Sequence, residues 1–135
     1  MDDLNGFFFK PPLEANFIPN ILGEVYRDRV YDQFMPKDKN KTLCLEVGGN
    51  LGLVSYYFAR HFEKVIVLEP SAKHFPVLLQ NLEYNKLTNV MPLKLALTNK
   101  NGTAEFYHNS NQTMFSLRPE VNGLPDEKEE VQTMD

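Results

Sequence analysis

Two acids, Glu46 and Glu69, each close a short apolar run, and the first is followed at once by Gly48, Gly49 and Gly52. An ionised carboxylate only accepts hydrogen bonds, with about two lone-pair sites on each oxygen, so an acid at a strand end is suited to hydroxyl or ammonium donors. Glycines beside it permit positive φ or a close approach of backbone to a ligand where a side chain would intrude. Glu69 follows Gly52 by 17 residues. At the end of a second strand it could accept both hydroxyls of a ribose, a bidentate contact that favours a nucleoside and requires no phosphate. An acid and a glycine turn after one strand, with an acid after the next, point to nucleoside binding rather than to a turn built only for packing.

Two better-known phosphate motifs do not fit. A dinucleotide fingerprint starting at Gly48 needs glycines at positions 50 and 53, where the chain has Asn50 and Leu53, and a P-loop needs a Gly-Lys-Ser/Thr that is absent.

The elements that must position these residues are legible as alternating strands and helices. Leu43, Cys44, Leu45 and Val47 read as a strand buried on both faces, and Lys64 to Leu68 as the next, ending in Glu69-Pro70. Between them a helix from about Leu51 to Phe62 carries Leu51, Val54, Phe58 and Phe62 on its core side, leaving Tyr56 and Tyr57 partly exposed, and its first amides face the glycine turn. After Ser71 a helix starts near His74 or Phe75 with Pro76 in its first turn, where no intrahelical donor is lost. Val90 to Leu97 form a third strand. Strand, helix, strand, helix, strand with short links specifies right-handed crossovers and a parallel sheet, with ligands beyond the carboxyl ends of the strands. Glu46 to Gly52, Glu69 to Ser71 and Ala96 to Thr98 converge there.

Outside this unit, Asn20 is the expected N-cap of an amphipathic helix to Phe34, with Ile21, Leu22, Val25, Tyr26, Val30 and Phe34 on its apolar side. Its charges read as a solvated face, against an alternative in which Glu24 or Tyr26 lines the pocket. Residues 1–17 read as irregular, with Phe7, Phe8 and Phe9 needing apolar cover. Asn99-Lys100-Asn101-Gly102 is a turn signal, and Thr103 to His108 alternate as a strand hairpinned onto the third. Residues 118–130, with Pro119, Gly123, Pro125 and the run Asp126-Glu127-Lys128-Glu129-Glu130, read as a mobile loop, and Glu130 to Met134 as the start of another strand.

With 135 residues and 42% hydrophobic content, the chain has the size of one soluble domain. A single cysteine, Cys44, excludes an internal disulfide and reads as a small apolar core residue. The formal net charge of −4, with no basic block, gives no basis for phosphate-driven binding to nucleic acid. No signal peptide or membrane-length apolar run is present, so the expectation is a cytoplasmic protein without membrane partners, in which the sequons at Asn101 and Asn111 are chance matches. His61, His74 and His108 have no Cys or acid at metal-ligand spacing, and no metal site is expected.

Glu46-x-Gly48-x-Asn50-x-Gly52 resembles motif I of the class I S-adenosylmethionine-dependent methyltransferases. Leu45 to Gly52, Leu68 to Ser71, Asn81 to Asn85, and Leu95 to Thr98 followed by Asn101 to Ala104 are together similar to the FkbM-type methyltransferase family, over about Phe34 to Leu117. The resemblance implies S-adenosylmethionine as cofactor and a Rossmann-like α/β fold, with strands ordered 3-2-1, flanking helices and an added hairpin strand. It also implies cofactor contacts at Glu46 for the methionine portion, Gly48, Asn50 and Gly52 in the turn, Glu69 for ribose, and Ala96 and Leu97 for adenine. Ser71 is a further contact or a helix cap. The family more often has Asp at Glu46 and Ala at Gly49, mild departures.

The expected organisation is an N-terminal extension and covering helix (1–41), a cofactor-binding half domain (42–117), and an acidic loop leading to a further strand (118–135). The family's later strands, its Lys-x-Asp-x-Glu-Gly-type motif and its substrate surface have no counterpart, so a bare sheet edge is expected, to be covered by another copy or a completing chain. The implied activity is methyl transfer to a small-molecule or sugar hydroxyl. No catalytic base can be assigned. A non-catalytic cofactor- or partner-binding module is the alternative, and a nucleotide-dependent oxidoreductase is a third reading.

Overall fold

The computed structural model describes residues 18–37, 41–108, 116–118 and 127–135. The expectations for Phe7 to Phe9 and for positions 119–126 lie outside these. Three strands, β1 (Leu43–Val47), β2 (Lys64–Leu68) and β3 (Val90–Leu93), form a parallel sheet in the order β1-β2-β3, the 3-2-1 arrangement expected. In register, Val47 lies opposite Leu68 and Leu68 opposite Leu93, so the three carboxyl ends finish level. Helices α2 (Leu53–Ala59) and α3 (Phe75–Tyr84) link the strands. The core that results joins Val67, Leu78 and Leu82, with Phe75, Leu87 and Val90 against them. Full burial of one such side chain contributes about 1.5–3 kcal/mol.

β1 departs from the expectation of a strand buried on both faces. Leu43, Leu45 and Val47 are 54 to 56% exposed, whereas Glu46 on the opposite face is buried. Both crossovers place their helices on one side of the sheet. An apolar run states that a strand can be covered on both faces, and it carries no information on which elements do the covering. Met91, in register with Ile66 and through it with Leu45, continues the open face.

The third strand is not continuous. The Leu95 amide donates to the Leu93 carbonyl across Lys94, a three-residue turn that ends β3 and passes the chain into a second sheet. That sheet contains β4 (Ala96–Leu97), β5 (Gly102–His108) and β6 (Glu127–Met134) in the order β4-β6-β5. The expected hairpin of β5 onto the third strand is therefore corrected: β6 lies between them, parallel to β4 and antiparallel to β5. Likewise Glu127 to Glu130, expected in a mobile loop, belong to β6. Ala96, Phe106 and Val131 supply the apolar contact of this sheet, and Leu117 packs on them.

The N-terminal covering helix is shorter and broken. α1 spans Ile18–Leu22, so Asn20 is inside it rather than at its cap, and a π-helical turn follows at Gly23–Arg27. Arg29 at φ 52° stops the helical path, leaving only a 3₁₀ turn at Asp32–Phe34. Phe34, placed on the apolar stripe by spacing, is exposed. This segment changes the buried face of α2. Tyr57, expected partly exposed, is buried: its ring meets Tyr26 and Tyr31, and its hydroxyl donates to Asp32. Ile18 packs on Leu51 and Leu53. Among the described residues no helix is long and apolar enough to cross a membrane.

Candidate functional site

The strand ends are tied to one another by backbone donors. The amides of Gly48 and Gly49 both donate to the Leu68 carbonyl, at 2.8 and 2.9 Å, and the Glu69 amide donates to the Leu93 carbonyl at 3.1 Å. The turn after β1 is thereby bent across the end of β2. Gly48 has φ +87°, and a Cβ there would meet nothing within 4 Å, so the turn presents open backbone to the cleft. Gly49 is needed for the opposite reason, because its Cβ would fall 2.3 Å from Val67 Cγ2 in the core. Asn50 has φ 50°, a left-handed conformation that Asn tolerates better than most residues.

Glu69 holds the two turns together. Its Oε2 accepts from the Asn50 amide at 2.7 Å, and its Oε1 accepts from the Ser71 amide at 2.8 Å. Burial raises its pKa, the two amides lower it, and Glu129 raises it. Each oxygen uses one lone pair on an amide, leaving capacity for a further donor. Ser71 has its hydroxyl turned to the amides of Lys73 and His74, so it caps the entry to α3.

Glu46 sits beneath the turn, buried, and no backbone amide or cation donates to its carboxylate. Burial pushes its pKa up to about 8; the Ser55 hydroxyl beside it lowers the value, and Glu69 raises it. The side-chain carbonyl of Asn50 is also buried without a partner. Buried polar atoms are nearly always paired, so this carboxylate and this carbonyl at one turn mark a place where donors are wanted.

A cleft of about 470 Å³ opens over the strand ends. Of the residues singled out by sequence, Gly48, Asn50, Glu69, Ala96 and Leu97 line it, whereas Glu46, Gly52 and Ser71 are not among its lining residues. Glu24 and Tyr26 do not border it. His74, Phe106, Ser116, Leu117 and Arg118 do, and sequence reasoning missed them. The last four arrive through the second sheet, where Ser116 bridges to Tyr107; no local pattern links them to the strand ends. The alternation that buries Phe106 was the one available signal. His74 is buried, and burial lowers its pKa to about 4, with Lys73 and His108 acting in the same direction.

Three side chains outside the cleft brace it. Asn81, fully buried on α3, donates from Nδ2 to the Leu51 carbonyl at 2.8 Å and so fixes the end of the glycine turn. Asn89 donates to the carbonyls of Ala59 and Phe62, closing the C-terminal end of α2. Glu129 of β6 accepts from the Ala72 amide, and its Oε1 lies 2.8 Å from His108 Nε2, which fastens the second sheet to the turn after β2. His61, by contrast, sits against the Tyr57 carbonyl and ring, in a structural role.

No family model and no curated protein sequence matches the chain. Solved structures similar to it include a SAM-dependent methyltransferase from Aquifex aeolicus, at 19% identity and TM-score 0.45, covering 53% of this chain and 40% of that one. Two structures of StiE O-MT, of its residues 961–1257 and 942–1257, are similar at 14% and 13% identity and TM-score 0.45, covering 71% and 70% of this chain. The chain spans 40 to 49% of the length of these proteins.

Proposed function

We propose that this chain binds S-adenosylmethionine in the cleft over its strand ends and serves as the cofactor-binding part of a methyltransferase of the FkbM type. The observation that carries the reading is Glu69. It is a buried carboxylate at the end of β2, held by one amide from each flanking turn, with an acceptor site left on each oxygen. Such a group is matched to a vicinal diol. The buried carboxylate of Glu46, without an amide or cationic donor, and the unpaired Asn50 carbonyl suit the ammonium end of the cofactor, directly or through water. Apolar walls at Leu95, Ala96, Leu97 and Phe106 suit a purine ring.

When bound, the cofactor supplies an electrophilic methyl group on a sulfonium. The residues of this chain hold and orient it and keep water from it. No described residue is a suitable proton acceptor for a substrate hydroxyl: His74 lines the cleft, but with its pKa near 4 it is too weak a base at neutral pH. The acceptor in this reading is a small-molecule or sugar hydroxyl. The substrate side comes from a partner that covers the open face of Leu43, Leu45, Val47 and Met91, either a second copy or a completing chain. That open face also favours a second reading, in which the chain holds the cofactor or a partner without catalysing transfer.

The test is calorimetric titration with S-adenosylhomocysteine. Glu69→Ala weakens binding by about 1.5–3 kcal/mol, roughly ten- to a hundredfold in Kd. Because that change also strips an acceptor from the Asn50 and Ser71 amides, the urea midpoint of the variant is measured alongside. Equal affinity of the wild type and a folded Glu69→Ala variant refutes the ribose contact.

A further inference from the structure

We propose that binding at this site is proton-coupled: Glu46 is a neutral acid until a cationic group arrives beside it, and occupancy by a primary ammonium displaces its proton to solvent. The inference rests on the reading of the cleft as an S-adenosylmethionine site and adds a linkage which that reading does not contain.

The Glu46 side chain is 6% exposed, no backbone amide or cation donates to either oxygen, and the Ser55 hydroxyl is the neighbour that favours its anion. The titratable and polar groups facing it are Tyr31 from the N-terminal segment, Cys44 on its own strand, Ser55 on α2 and Glu69 after β2. None is cationic, and among the described residues Glu46 forms no ion pair. A carboxylate removed from water and beside a second carboxyl is disfavoured in its charged form on both counts, and one neutral hydroxyl offsets this only in part. The upward shift of its pKa agrees with this geometry.

An ammonium brought to this place reverses the balance. It supplies charged donors to a carboxylate that has no cation or amide beside it, so the ionised form becomes the favoured one. The only bond broken is the O–H of Glu46. Its proton goes to solvent, and the ammonium keeps its charge and donates to the carboxylate. Glu69 is placed differently, since its two amide donors already support its anion. The two acids thus divide the work, one ready for a diol and one that ionises on contact with a cation.

Two experiments test this. The first follows the Glu46 side-chain carboxyl carbon by NMR across pH in the chain without added ligand. The expected midpoint lies above pH 7; an ordinary midpoint below pH 5 overturns the inference whatever the chain binds. The second is titration with S-adenosylhomocysteine at pH 7 in phosphate and in Tris, whose ionisation enthalpies differ. Release of about one proton per ligand is expected, with Kd falling about tenfold per pH unit between pH 6 and 7. Glu46→Gln abolishes both effects, and 5′-methylthioadenosine, which lacks the amino-acid arm, releases no proton. Binding with a buffer-independent enthalpy overturns the coupling and leaves the cofactor reading standing. No binding to the folded chain overturns the cofactor reading and the coupling with it.

Discussion

Glu46→Gln stabilises the chain by about 3 kcal/mol at pH 7. The folded protein holds this acid with its pKa raised from 4.5 to about 8, through burial first and Glu69 second. Between those values the native state binds a proton that the unfolded chain has lost, so stability falls as pH rises, by up to about 1.4 kcal/mol per pH unit. From pH 4.5 to 7 that amounts to roughly 3 kcal/mol. A glutamine of the same shape carries no such penalty.

His74 acts in the opposite sense. Its pKa is lowered from 6.5 to about 4, so between these values the unfolded state binds the extra proton and stability rises with pH. The two slopes oppose each other below pH 6.5, and above it Glu46 acts without that compensation. Glu69, whose pKa is also raised by burial, adds to the loss, so the wild type is expected to lose stability more steeply from pH 6.5 to 8 than from pH 5 to 6.5. Glu46→Gln removes the Glu46 share and loses less than the wild type from pH 6.5 to 8. Urea unfolding at pH 5, 6.5 and 8 measures both curves. A wild type that gains stability between pH 6.5 and 8 contradicts the account.

The second large effect concerns Gly49. An alanine there would put its Cβ 2.3 Å from Val67 Cγ2 and 3.3 Å from Leu78 Cδ2, and both partners are fully buried. Val67 is β-branched and has few rotamers to retreat into. Either the glycine turn lifts off the Leu68 carbonyl or β2 shifts, and overpacking of this kind costs about 3 kcal/mol. In this chain the space beside Gly49 is filled by Val67. Removing the valine should therefore restore room. Val67→Ala alone leaves a cavity and destabilises by about 2 kcal/mol, yet the double variant Gly49→Ala/Val67→Ala is expected to be more stable than the sum of the two losses by at least about 1 kcal/mol. Strict additivity in a urea-denaturation cycle would mean that the two positions do not compete for the same volume.

The same pair of positions illustrates what was legible in the sequence. The order of the parallel sheet followed from strand, helix and turn signals, because crossover handedness leaves few alternatives. Glu69 could be placed because a strand end determines where the next residue sits. Gly49 could be read as a turn residue, but not as a partner of Val67, since that contact depends on how tightly two strand ends cross. Ser71 was open to two readings from sequence, and its hydroxyl accepts from the amides of Lys73 and His74 just ahead of α3.

Other features depended on contacts that no local pattern records. β1 carries the composition of a covered strand, yet Leu43, Leu45 and Val47 face outwards because both helices lie on the other side. The insertion of β6 between β4 and β5 pairs residues 19 to 37 apart, and the acidic composition of Glu127 to Glu130 argued for a solvated loop. Those charges are accommodated because that part of β6 is mostly exposed, while Glu129 is used to hold Ala72. The burial of Tyr57 has a similar origin: it comes from Tyr26, Tyr31 and Asp32, on a segment whose helix breaks at Arg29.

The most direct test of the central claim is an amide NMR titration of the folded chain with S-adenosylhomocysteine. The account predicts saturable shifts at Asn50 and Ser71, whose amides meet Glu69, together with Gly48 and residues 95–97 across the cleft, and no comparable response to NADH. Unchanged amides at Asn50 and Ser71 in a well-dispersed spectrum, or shifts confined to the open face of β1, would contradict it.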